Sequence, residues 1–271
     1  MPKYLSMMMS IFILFCLIII GICIWHFTKL EFHHLINFVF LGILITVIIK
    51  NGVNRWIGFF ILILSYAIFP MFSVVGKLIP YRFDDILYTL DGFIFGQSLP
   101  LYLTYRPAWL AEYLAMCYLA LFPMQLGACY YWFKNNQKDY HAFCFGLLVL
   151  MLIGYIGYFI FPAQGGYLAY DNVFNLPNTG GYMTQFLMNA NQQLIVGIDA
   201  FPSLHTGFSV FINGFFFIKK RWWIGCLLLP ITLGLMISTQ YFAFHYGVDL
   251  LVGLILAMGV LIFIAYSHKV Q

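Results

Sequence analysis

A chain of 271 residues that is 63% hydrophobic, 20% aromatic and only 8% charged is not a soluble domain, in which roughly a quarter of residues carry charge. The formal net charge of +4 gives no case for a nucleic-acid partner, because the cations sit beside apolar runs rather than along one continuous face. The composition is that of an integral membrane protein and predicts an all-α, polytopic helix bundle, since a helix satisfies its own backbone donors and acceptors inside a bilayer.

Windows of spanning length, about 20 residues each, predict about eight transmembrane helices, at roughly 5–27, 34–50, 56–75, 108–133, 141–161, 203–218, 222–241 and 245–266. The first is read as a retained helix, because its apolar stretch is too long for a signal peptide and lacks a small-residue cleavage site. The spacing divides the chain into N-terminal transmembrane helices over 1–75 and a membrane domain with outer-face loops over 76–271. Cys16, Cys23, Cys117, Cys129, Cys144 and Cys226 fall inside or at the ends of apolar runs without metal-ligand spacing and read as packing residues. His26, His33, His34, His141 and His268 are likewise read as structural.

With a cytoplasmic N-terminus, Lys3, Lys50, Arg55, Lys134, Lys138, Lys219, Lys220, Arg221 and Lys269 all fall on the cytoplasmic side. The opposite side then receives a stretch from about 76 to 107 and a loop from about 162 to 202, the latter without Lys or Arg. In the first stretch, residues 84–96 alternate acids with apolar residues at helical spacing and predict a short helix along the membrane surface. Its Asp84, Asp85 and Asp91 read as solvated charge or helix caps rather than metal ligands. Loops of such length in a compact protein are more often site-forming than idle.

Two motifs carry chemistry: Pro202-Ser203-Leu204-His205 at the mouth of the sixth span, and His245 followed four residues later by Asp249 at the mouth of the eighth. On a helix that spacing puts His245 and Asp249 on one face, so the carboxylate can fix the ring tautomer and leave the other nitrogen free to attack phosphorus. His205 is placed to protonate a leaving oxygen and then activate an acceptor. Pro202 and Ser203 read as a helix start whose free amides, with the Ser203 hydroxyl, face an anion. The turn Gln164-Gly165-Gly166, with Tyr167 after it, is expected to add backbone donors. Both histidines fall on the same, non-cytoplasmic side.

These residues resemble the type 2 phosphatidic acid phosphatase superfamily, whose Pro-Ser-x-His and Ser-Arg-x5-His-x3-Asp motifs are matched by residues 202–205 and 238–249. The wording Phe201-Pro202-Ser203-Leu204-His205, the His245-Tyr246 pair, the Phe161-Pro162-Ala163-Gln164-Gly165 loop and the Asp91 to Gly96 stretch are more similar to its inositol phosphorylceramide synthase branch. The resemblance implies a six-helix core, catalysis without a cofactor or metal, a phosphohistidine at His245, acid/base work at His205 and orientation by Asp249. It further implies a lipid phosphate or phospholipid as substrate and water, a polyol or a sugar alcohol as acceptor. The membrane would be the inner or plasma membrane of a bacterium or an endomembrane of a eukaryote. Thr239 stands where the family has arginine and Leu99 where it has lysine, so Arg106, with Arg82 and Lys77 as alternatives, is the candidate phosphate clamp. A transporter or lipid scaffold whose histidines and Asp249 line a polar pathway, a catalytically weakened lipid-binding relative, and an intramembrane serine protease using Ser203 and His245 are the competing readings.

Overall fold

The computed structural model describes residues 2–25, 42, 46, 56–174, 180–193 and 196–269. Among these the chain is helical, and extended backbone pairs only in a single parallel bridge between Ala163 and Asp199. The long helices are α1 (Pro2–Trp25), α2 (Ile57–Ile68), continued through a 3-10 turn into α3 (Phe72–Gly76), and α5 (Ala108–Leu119) with α6 (Leu121–Asn135). They are followed by α7 (Gln137–Ile160), α10 (Leu204–Ile218), α11 (Trp222–Tyr241) and α12 (Gly247–Lys269). Between them lie the shorter α4 (Asp84–Phe95), α8 (Gly166–Ala169) and α9 (Tyr182–Gln193).

Five of these stretches are long and apolar enough to cross a membrane: Leu5–Trp25, Gly58–Gly76, Gln137–Ile160, Trp222–Tyr241 and Gly247–Ser267. The expected helix over 108–133 is present but broken, α5 and α6 meeting at 42°. Pro123 explains the break, because its ring clashes with the carbonyl four residues earlier and it offers no amide to bond it. The expected span at 203–218 is a shorter apolar helix, Leu204–Ile218. The one at 34–50 lies outside the described residues.

The bundle is organised around α10, which packs on α6, α7, α11 and α12. At the α10–α12 crossing a Cβ on Gly253 would lie 2.4 Å from the Ser203 carbonyl oxygen, so only glycine permits the approach that brings the two histidine-bearing helix starts together. Aromatic side chains fill the interior, with Trp132 stacked on Phe216 and Phe143 on Phe211. The N-terminal helices join the same core, Phe72 meeting Tyr155 edge-on at 4.7 Å. Five cysteines are buried, Cys226 is exposed, and all six are free.

The expectation for the acids of α4 needs correction. Asp85 is exposed and bonds the Tyr170 hydroxyl, but Asp84 is 4% and Asp91 0% exposed, so neither is solvated surface charge. A buried carboxylate is tolerated only when hydrogen-bonded, and both are: each ties α4 to backbone on either side of the site described next.

Candidate active site

Ser203 starts α10 as its cap, the hydroxyl accepting from the Thr206 amide at 3.3 Å. This turns His205, in the first turn, toward the loop that precedes α12. In that loop the His245 amide donates to the Thr239 carbonyl at 3.2 Å, and Gln240 Nε2 donates to the His245 carbonyl at 3.2 Å. The end of α11 thus grips the backbone of His245. Across the gap, His245 Nε2 stands 3.4 Å from His205 Nδ1, so the two rings meet in one site from opposite sides.

The other nitrogen of His245 is held more tightly than the motif alone implied, and by another partner. Nδ1 lies 2.7 Å from the Ala200 carbonyl oxygen, against 3.5 Å from Asp249 Oδ2. A carbonyl only accepts, so Nδ1 carries the proton and Nε2 presents its lone pair toward His205. Asp249 Oδ2 accepts the Tyr246 amide at 3.0 Å, which keeps the carboxylate beside the ring as a fixed negative charge. Asp249 is therefore a neighbour of the imidazole rather than the main acceptor of its proton.

The histidines open into a polar cavity of about 30 Å³ lined by Tyr118, Gln164, Tyr167, Asn191, Asp199, Ala200, His205, Phe244 and His245. Tyr118 stacks on His205 with ring centroids 4.4 Å apart, and Phe244 packs on both Tyr118 and Tyr167. Of the residues singled out from sequence, Gln164 and Tyr167 join the two histidines here, while Ser203, Gly166 and Arg106 do not line the cavity. Ser203 is spent on the cap.

Two expectations are overturned. The Gln164 and Gly165 amides are not free for an anion, because both donate to the Asp84 carboxylate at 3.0 to 3.1 Å. The turn stays close all the same: Gly165 has φ +86, and a Cβ there would lie 2.2 Å from the Phe244 carbonyl oxygen. Arg106, the candidate clamp, instead donates to the Tyr241 carbonyl at 2.6 Å and lies over that ring at 4.4 Å. Its charge ends α11, where a helix C-terminus favours a cation. Arg82 is used similarly, its guanidinium donating to the carbonyls of Gly76, Ile79 and Tyr81.

Sequence reasoning missed four groups. Asp84 also accepts the Tyr246 hydroxyl at 2.9 Å, and burial pushes its carboxyl above the usual range. Asp91 takes the amides of Gly247 and Val248 and the Ser98 hydroxyl, capping α12 from a distant helix. Asp199 lines the cavity, and burial pushes its carboxyl up to about 6 despite backbone hydrogen bonds that favour the charged form. Tyr118 supplies the aromatic face against His205. Only Asp199 had a local signal, as an acid four residues ahead of Ser203 in a loop without Lys or Arg. Among the described residues no three His, Cys, Asp or Glu side chains converge as metal ligands.

A phosphoinositol dihydroceramide synthase of Bacteroides thetaiotaomicron is 27% identical over 168 residues, covering 56% of this chain and 53% of that protein. The chain thus spans about half the length of that curated relative. No solved structure matches it. Residues 87–263 match the model of the PAP2 superfamily, a stretch that runs from α4 into α12 and contains both histidine motifs, and the chain belongs to that superfamily.

Proposed function

We propose that this chain is an integral membrane enzyme that removes or transfers a phosphate-containing group at a lipid headgroup, through a phosphohistidine at His245. The observation that carries the reading is the His245 ring, anchored at Nδ1 by the Ala200 carbonyl at 2.7 Å with Nε2 facing His205 at 3.4 Å across a cavity. In the first step the Nε2 lone pair attacks phosphorus, the bond from phosphorus to the leaving oxygen breaks, and His205 gives that oxygen a proton. In the second, His205 takes a proton from water or an alcohol, the new oxygen attacks phosphorus, and the phosphorus–nitrogen bond breaks. Asp249 stabilises the positive charge that His245 carries between the two steps.

Transfer to an alcohol is favoured over hydrolysis by the name of the relative, a synthase, and by the lining of the cavity. Gln164, Tyr167, Asn191 and Asp199 are partners for hydroxyl groups, and no Lys or Arg among the described residues lines it. The clustering of cations at the other ends of the spans supports a non-cytoplasmic site.

The test incubates detergent-purified protein with a panel of lipid phosphates and phospholipids, with and without a polyol, beside His245→Ala. Product formation that depends on His245 is expected, with a phosphorylated polyol appearing when polyol is present. Undiminished turnover in His245→Ala would remove the proposed nucleophile.

A further inference from the structure

Beside the polar cavity lies a second and larger space of about 120 Å³. Four stretches line it, each with residues one helical turn apart: Ser65 and Phe69, Leu121 and Gln125, Tyr155 and Tyr158, Leu204 and Phe208. Side chains three or four positions apart lie above one another on a helix, with about 5.4 Å per turn. The space therefore runs along the bundle axis for at least a turn, into the layer where the helices are apolar. Its lining is mostly hydrocarbon.

It adjoins the site already described, since Asp199 and His205 line both spaces. An amphiphile fits such a pair, polar end in one and hydrocarbon in the other. The apolar space also holds polar groups that the protein does not use up. Gln125, 1% exposed, accepts the Tyr66 hydroxyl at 2.5 Å, while its amide nitrogen and the Tyr158 hydroxyl have no protein partner among the described residues. Donors that face a cavity without a protein partner can meet a ligand that accepts hydrogen bonds. Toward the outside, Tyr66 and Phe122 meet edge-on at 4.7 Å and are 42% and 45% exposed. That pair closes the gap between α2 and α6 on the face that the bilayer covers.

We propose that this space receives one hydrocarbon chain of the phosphate-bearing lipid, entering between α2 and α6 past Tyr66 and Phe122. Gln125 and Tyr158 bond the carbonyl, amide or hydroxyl oxygen near the head of the chain. The inference rests on the enzymatic reading above and adds the lipid subsite to it. Ser65, Tyr66 and Phe69 precede residue 87, where the match to the family begins, so this chain builds one wall of the subsite from its own N-terminal helices.

The test uses a phosphatidic acid with a photoactivatable diazirine on one acyl chain near the headgroup, irradiated with the full-length protein in detergent. Crosslinks are expected within residues 65–69 and 121–125, suppressed by excess unlabelled lipid phosphate. Ser65→Phe, which puts a ring into the space, should abolish them and raise KM for a long-chain lipid phosphate at least about tenfold, leaving kcat/KM for a short, water-soluble phosphate ester within about twofold. Crosslinks confined to other surfaces would overturn the proposal, as would a Ser65→Phe variant that loses both substrates alike. The crosslink needs no turnover. A protein that crosslinks as expected yet turns over no lipid phosphate would sink the enzymatic reading and leave the subsite standing.

Discussion

The carboxylate of Asp91 takes the amide of Gly247 at 2.9 Å across 156 positions of sequence, and its other oxygen takes the Val248 amide at 2.8 Å. The first amides of a helix have no partner within it, and here a buried negative charge on α4 satisfies two of them directly after the loop that carries His245. The direction in which α12 leaves that loop is thereby fixed. Asp91→Ala should strand these donors, at about 1–3 kcal/mol for a buried unsatisfied group, and let His245 shift. A lowered thermal midpoint together with a fall in kcat larger than the change in KM is expected. A variant with a lower midpoint and intact kcat would leave Asp91 as a purely structural tie.

The paired histidines predict an asymmetry between their variants. A substrate with a good leaving group needs no proton from His205, so His205→Ala should still accumulate label from a radioactive phosphoryl donor, as an acid-labile and base-stable adduct. His245→Ala should accumulate none. With an ordinary lipid substrate, loss of the acid/base group should cost about 10²–10⁴-fold in turnover. Equal labelling of both variants would remove His245 from its role.

Because Ala200, rather than Asp249, receives the Nδ1 proton at the shorter distance, Asp249→Asn should keep the tautomer and lose only the charge that steadies the imidazolium. The amide oxygen of asparagine can still accept from Tyr246, so the loop should hold. The expected loss in kcat is smaller than for either histidine, with little change in thermal midpoint. Steady-state kinetics of the three variants side by side would check the order, and an Asp249→Asn defect as deep as that of His245→Ala would contradict it.

Asp199 predicts a pH dependence whose sign follows from its environment. Burial raises its carboxyl to about 6, so the folded chain binds this proton more tightly than the unfolded chain, whose value is ordinary at about 3.9. Its contribution to stability is therefore fully present below about pH 4 and is lost as the pH rises through about 6. Asp199→Asn should flatten that part of the midpoint-against-pH curve and raise the midpoint most near pH 7 to 8. The same substitution removes a negative charge from the cavity, so inhibition by inorganic phosphate should strengthen above pH 6. Melting curves across pH 4 to 8 that are parallel for the two proteins would show that Asp199 does not titrate in this range.

What the sequence could and could not disclose follows the range of the interactions. Apolar run length placed the spanning helices, because crossing a bilayer is a local demand on about 20 consecutive residues. The four-residue spacing of His245 and Asp249, and the cap-forming Ser203, were legible for the same reason. The roles of Asp84 and Asp91 were not, since the site-forming partners that define them lie 80 to 162 positions away and an acid beside apolar residues reads equally well as surface. Arg106 misled because a cation on the expected side is only a candidate until its neighbours are known, and here the Tyr241 carbonyl and ring claim it. The Ala200 carbonyl had no signal at all, since any residue would present one.

Gly165 offers the sharpest backbone test of the site. It joins two constraints, a φ of +86 that side chains rarely adopt and a Cβ position 2.2 Å from the Phe244 carbonyl oxygen. The carbonyl belongs to the residue before His245, so an added methyl at 165 must push the loop that aims the proposed nucleophile or unseat the turn from Asp84. Either movement acts on His245 without touching its ring. Backbone strain of this kind costs on the order of 1–3 kcal/mol, and misplacing a reacting atom by about 1 Å can cost about 10²-fold in rate. Gly165→Ala should therefore lose far more activity than stability. Gly92→Ala, where a Cβ meets nothing within 4 Å, is the control that should do neither. If Gly165→Ala turned over lipid phosphate at the parental rate, the close approach of this turn to Phe244 would have no part in positioning His245.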